Sequence, residues 1–126
     1  MSFYLDHEKL EVYRFAIQFV ILADEIIENL PRGRAYLADQ LRRAASSIPL
    51  NIAEGAGEYA PTEKARFYRM AKRYATESAS ILDILLHLKL IEEKVFARAR
   101  EFLARIVAML IKLVQSLGEM TFAQRS

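Results

Sequence analysis

The chain has 126 residues, of which 53% are hydrophobic, and its 18 basic side chains nearly balance 16 acidic ones. This length fits one domain with a real core and is too short for two. The chain has no cysteine, which excludes a disulfide framework and thiolate chemistry. Its small net charge does not require a nucleic-acid partner, although residues 31–91 carry more basic than acidic side chains.

The N-terminal sequence shows no basic region followed by an apolar run, and no apolar run in the chain is long enough to cross a bilayer. We therefore expect no signal peptide, no membrane-spanning segment and a cytoplasmic protein.

Apolar residues at spacings of three and four predict four helices, over about residues 7–30, 34–56, 62–90 and 93–117. Gly118 is expected to end the last helix, leaving residues 119–126 as a frayed tail. Long helices with short connections predict an all-α, single-domain protein over residues 1–126. Its expected architecture is an antiparallel, up-down-up-down four-helix bundle.

The first helix carries two apolar rows. One row consists of Leu10, Tyr13, Ile17, Val20 and Ile27, and the other consists of Val12, Phe15, Phe19, Leu22 and Ile26. Either both rows face a wide core, or one faces the core and the other a neighbouring subunit. We favour the second alternative and assign the row that begins at Val12 to a subunit interface, together with the broad apolar face of the fourth helix.

The second helix contains the string Ser46–Gly57, with Pro49 in its interior. Because proline removes a backbone donor and clashes with the carbonyl four residues before it, we expect a kink at Pro49. The hydroxyls of Ser46 and Ser47 are placed to satisfy the freed carbonyls. Gly55 and Gly57 are expected to form a left-handed turn that ends the helix.

Polar side chains recur at spacings of three and four beside the apolar face of the second helix. They are Gln40, Arg43, Ser47, Asn51 and Glu54. Asn51 and Glu54 are either ligand-binding or catalytic groups, or partly buried groups that hydrogen-bond to backbone and fix helix register. We favour the structural alternative because no second acid or histidine cooperates with them. The structural motif is then Ser47, Pro49, Asn51, Glu54 and Gly55.

The sequence offers no constellation of catalytic or metal-binding residues. Its histidines are His7 and His87, and neither has a carboxylate three residues before it, as di-metal bundles require. We therefore expect no metal, no cofactor and no enzymatic activity.

Basic residues cluster on the second and third helices, where they form the candidate phosphate contacts. These are Arg42, Arg43, Arg66, Arg69, Lys72 and Arg73. Tyr68 lies nearby as a candidate for stacking on a base. The alternative is an ordinary solvated face whose charge is balanced by acids such as Glu63 and Glu77.

Two segments of the sequence carry a family resemblance. The first consists of residues 40–45 and 47–55, and the second lies within residues 66–79. They resemble the four-helix-bundle proteins encoded in intervening sequences of bacterial large-subunit ribosomal RNA. The accessory variability protein of diversity-generating retroelements looks like a relative of the same family. The resemblance implies a bundle that assembles as a homopentamer. In the retroelement relative it also implies basic surfaces that bind nucleic acid and a reverse transcriptase.

Together these observations predict a non-enzymatic, oligomeric binding or scaffold protein that contacts RNA or DNA through its basic helix faces. Two alternatives stay open: an adaptor that binds only a protein partner encoded nearby, and a nucleic-acid-processing enzyme that uses Asn51 and Glu54.

Overall fold

A computed structural model describes the backbone of residues 5–125 and the side chains of residues 5–118. A short 3-10 turn, Asp6–Lys9, precedes four helices, and the described residues contain no strand. The helices are α1 (Glu11–Glu28), α2 (Ala35–Gly57), α3 (Pro61–His87) and α4 (Glu93–Arg125). The predicted all-α fold with four helices is confirmed.

Each helix packs against its neighbours in the chain, and α1 also packs against α4, so the helices enclose one core. Contacts between α2 and α3 show that these helices are antiparallel. Arg43 pairs with Glu77 near the middle of both helices, whereas Lys64 at the start of α3 reaches Ala56 at the end of α2. This arrangement is a four-helix bundle with the neighbours that an up-down-up-down order requires.

The helix α1 buries the apolar row that we assigned to a subunit interface. Val12, Phe19, Leu22 and Ile26 are at most 6% exposed, and the ring of Phe15 packs 6.1 Å from that of Phe102. The interface assignment of this row is therefore wrong, because the bundle itself covers it. In the other row Ile27 is also buried, and Leu10 and Tyr13 pack against the core, whereas Ile17 is 37% exposed. Periodicity shows that both rows are apolar, but it does not indicate which residues face the other helices.

The helix α2 continues without a break through Pro49, and the kink expected there stays a prediction. The hydroxyls of the two serines before the proline hydrogen-bond to carbonyls that lie earlier in α2 than the expected carbonyl of Ala45. The hydroxyl of Ser46 donates to the carbonyl of Arg42 at 2.8 Å, and that of Ser47 donates to the carbonyl of Arg43 at 2.7 Å. They do not reach the carbonyl of Ala45, which Pro49 leaves without its helical donor, because a helical serine bonds back to the residue three or four positions before it.

The glycines of α2 do not form the expected left-handed turn. Gly33 is the glycine with positive φ among the described residues, whereas Gly55 and Gly57 lie inside the helix. A side chain caps the end of α2 instead, since Lys64 Nζ donates to the carbonyl of Ala56 at 2.8 Å and to that of Gly55 at 3.4 Å. A cation at this position also complements the negative end of the helix dipole.

The ends of α3 and α4 differ from the sequence prediction. The helix α3 stops at His87, and Lys89 follows with φ of 60°. The helix α4 runs through Gly118 to Arg125, so the predicted helix end at Gly118 is wrong; Ser126 lies outside the described residues. Glycine is tolerated inside a long helix at a cost of about 1 kcal/mol relative to alanine, so it does not by itself end one.

None of the helices within the described residues is both long enough and apolar enough to cross a membrane.

Candidate nucleic-acid interface

A surface cleft of about 910 Å³ runs along α3 where this helix meets α2; we call it the basic cleft. One lining residue comes from α2 and the others come from α3. The lining residues are Arg43, Arg69, Met70, Lys72, Arg73, Tyr74, Thr76, Glu77 and Ser80. The cleft thus collects four of the six basic residues that the sequence singled out.

Helix geometry explains why these side chains share one surface. Arg69, Arg73, Thr76 and Ser80 follow one another at spacings of four, three and four, so they lie on the same side of α3. The opposite side of α3 packs into the core through small residues, among them the fully buried Ala71 and Ala75. The core packing of α3 therefore holds its basic side outward.

The charge of the basic cleft is mainly uncompensated. Glu77 is its one acidic lining residue, and this carboxylate lies 3.7 Å from the guanidinium of Arg43. Arg69, Lys72 and Arg73 form no ion pair with any described residue. Three cations are thus available to an anionic partner, and Arg43 becomes a fourth if its exposed pair with Glu77 opens, which costs little.

The other two predicted contacts lie outside the basic cleft and have partners of their own. Arg42 pairs with Asp39 at 3.1 Å. Arg66 bonds to Glu63 at 3.0 Å, and its guanidinium lies 4.4 Å from the ring centre of Phe67. Both are held by acids on their own helix, so they contribute less free charge.

Tyr68, the predicted stacking group, is 4% exposed, so its assignment to a nucleic-acid surface is wrong. Burial, and secondly the negative charge of Asp6, raise the pKa of its hydroxyl above the ordinary value. The aromatic residue that lines the basic cleft is Tyr74. The spacing of Met70, Tyr74 and Glu77 was the available signal, since it puts all three on the flank of α3 that faces α2.

The polar row of α2 lies beside the basic cleft and not in the core. In the register set by Arg43 and Glu77, Ser47 lies level with Arg73. Ser47 and Asn51 are half-buried, and the Asn51 amide donates to the carbonyl of Ser47 at 2.8 Å. Glu54 is exposed and bonds to no described residue, so the partly buried role predicted for it is wrong.

Gly55 has a packing role that the sequence did not reveal. A Cβ atom at this position would lie 2.8 Å from Cε1 of Tyr68 and 3.0 Å from Cβ of Phe67. The close approach of α2 and α3 thus depends on the missing side chain.

A fully buried hydroxyl, that of Ser78, lies further along α3 and has no hydrogen-bond partner among the described residues.

The described residues contain no group of three or more histidine, aspartate or glutamate side chains placed to hold a metal ion.

The model of the family described as "23S rRNA-intervening sequence protein" matches residues 8–112. One solved structure, of a protein with unknown function from the S23 ribosomal protein family of Bacteroides thetaiotaomicron, has the same fold. It aligns with a TM-score of 0.77 at 18% identity and covers 82% of this chain and 97% of that one. No curated protein matches the chain. Since the family model covers most of the sequence, the chain belongs to the 23S rRNA-intervening sequence protein family.

Proposed function

We propose that this protein is a non-enzymatic, cytoplasmic scaffold that binds RNA or DNA through the phosphate groups that the basic cleft accepts. The observation that carries the proposal is that Arg43, Arg69, Lys72 and Arg73 line one cleft that has a single acidic residue. Clustered cations on a rigid surface supply most of the affinity of sequence-independent nucleic-acid binding.

The helical framework suits a linear polyanion. The basic side of α3 extends from Arg69 to Ser80, which is about 16 Å at the rise of an α-helix. The hydroxyl of Ser80 can donate to a further phosphate oxygen, whereas that of Thr76 already donates to the carbonyl of Lys72 at 3.1 Å. Because the cleft lies on a packed helix pair, the backbone positions that carry its cations are fixed before the partner arrives, and only the side chains are ordered on binding.

We also propose that the protein self-associates, and family resemblance favours a pentamer. With the row of Val12 in the core, the remaining exposed apolar row of α1 consists of Ile17 and Ile21, the latter 56% exposed. The exposed side of α4 carries Ile111 and small residues, among them Ala104 and Ala108. A ring of subunits would repeat the basic cleft, so that individually weak phosphate contacts add.

Binding of a labelled RNA of mixed sequence, measured by fluorescence anisotropy at low salt, tests the nucleic-acid proposal. The triple variant Arg69→Ala, Lys72→Ala, Arg73→Ala should bind at least about tenfold more weakly than the wild type. Arg42→Ala is the matched control, since this arginine lies outside the basic cleft and pairs with Asp39. It should bind within about twofold of the wild type.

Equal affinity of the triple variant and the wild type would overturn the proposal, as would the absence of any binding by the wild type. The absence of RNA binding by the wild type would leave a protein partner as the occupant of the cleft. That is the adaptor function, for which the same cations would meet an acidic surface.

A further inference from the structure

A second cleft, of about 450 Å³, lies at one end of the bundle; we call it the end cleft. It forms where the 3-10 turn, the α2–α3 connection and the start of α3 meet. Its polar lining is Asp6, Glu58, Tyr59, Lys64 and Tyr68. It shares no lining residue with the basic cleft, so it is a separate site.

The charge of the end cleft is negative. Its one cation, Lys64, is held by the last carbonyls of α2, and it forms no ion pair with the described carboxylates. Asp6 and Glu58 likewise have no ion-pair partner among the described residues. The negative end of α2 and the positive end of α3 both lie at this cleft, so the sign of its charge follows from the two carboxylates against the single lysine. A ligand that neutralises this excess charge must be a cation.

A buried hydroxyl also lines the end cleft. Tyr68 is 4% exposed, and its hydroxyl makes no hydrogen bond to any described residue. Among the described residues, the one side-chain oxygen that is both fully buried and without a hydrogen-bond partner belongs to Ser78. The hydroxyl of Tyr68 is therefore accessible to solvent. Because this hydroxyl lines the cleft, a ligand bound there can become its hydrogen-bond partner. Beside it, the ring of Tyr59 is 99% exposed.

We propose that the end cleft binds a small organic ammonium ion. The ammonium N–H groups donate to the Tyr68 hydroxyl oxygen and to the carboxylates of Asp6 and Glu58. The exposed ring of Tyr59 covers the cation, since aromatic faces attract ammonium groups. This site is independent of nucleic-acid binding, because neither cleft supplies a residue to the other.

Calorimetric titration with putrescine tests the proposal, with butane-1,4-diol as the neutral analogue of the same length and glutarate as the anionic one. We expect putrescine to bind and the two analogues not to bind. Tyr68→Phe keeps the ring and removes the hydroxyl, and the double variant Asp6→Asn, Glu58→Gln removes surface charge with little risk to folding. Each should weaken putrescine binding about tenfold or more, as expected when a charged hydrogen bond is lost.

Glu63→Gln is the matched control, because Glu63 lies in the first turn of α3 but pairs with Arg66 outside the end cleft. It should leave putrescine binding unchanged.

Three results would overturn the inference: no binding of putrescine, equal binding of putrescine and the diol, or putrescine binding by both variants with the affinity of the wild type.

Discussion

At the scale of single residues, Gly55 and Gly57 lie two positions apart in the same helix and have different reasons to be glycine. At Gly55 an added Cβ would overlap Tyr68, whereas at Gly57 nothing lies within 4 Å of that position. Neither glycine has positive φ, so alanine is compatible with the backbone at both sites. The comparison isolates packing between helices from backbone preference.

We predict that Gly55→Ala lowers the free energy of unfolding by about 1–3 kcal/mol, because the contact with Tyr68 must open. Gly57→Ala should instead raise it by about 0.4–1 kcal/mol, since alanine restricts the unfolded chain. Urea denaturation of both variants measures the two changes. Shifts of the same sign would contradict the packing role assigned to Gly55.

Spacing along one helix predicts which side chains share a side of that helix, but it does not predict contacts with another helix. The spacing of Arg69 and Arg73 places both on one side of α3. The close contact of Gly55 with Tyr68 joins two helices, and no local pattern reports it. The exposure of Glu54 likewise depends on the packing of α3 against α2, which no local pattern reports.

At the scale of the elements, the end of α3 shows how this chain turns between long helices. Lys89 has φ of 60°; its N–H donates to the carbonyl of Leu86, and that of Leu90 donates to the carbonyl of Leu85, both at 2.9 Å. These two bonds form a Schellman motif, in which the left-handed position favours glycine. The sequence placed this helix end about three residues later, because lysine gives no signal for a left-handed turn.

We predict that Lys89→Gly raises the free energy of unfolding by about 1 kcal/mol, because glycine adopts this conformation without strain. Lys112→Gly is the matched control in the interior of α4, where glycine should cost about 1 kcal/mol. Thermal unfolding of the two variants should therefore shift the Tm in opposite directions. A lower Tm for Lys89→Gly would show that the left-handed turn is not formed.

At the scale of the whole molecule, the bundle leaves apolar side chains uncovered on α1. Ile17 and Ile21 lie four residues apart and project away from the core. From periodicity alone, the buried row that begins at Val12 was an equally plausible interface. The sequence could predict the four-helix bundle, since periodicity and chain length limit the alternatives. It could not predict which apolar residues of α1 the other helices cover, because that depends on how α1 is rotated against α2 and α4.

We predict that Ile21→Lys weakens self-association by about tenfold or more, since a lysine charge would have to be desolvated in the interface. Leu50→Lys is the matched control on α2, where the side chain is 61% exposed. Light scattering over a dilution series reports the mass of each variant. If the wild type remains a monomer at micromolar concentration, or if Ile21→Lys assembles as the wild type does, the assembly surface proposed here is wrong.

The central claim is that the basic cleft binds phosphate groups, and the salt dependence of RNA binding tests it most directly. Each phosphate contact to a single strand contributes about 0.7 to the slope of log K against log salt concentration. Replacing Arg69, Lys72 and Arg73 by alanine should therefore reduce the magnitude of the slope by roughly 2, whereas Arg42→Ala should leave it almost unchanged. An equal slope for the wild type and the triple variant would contradict the account.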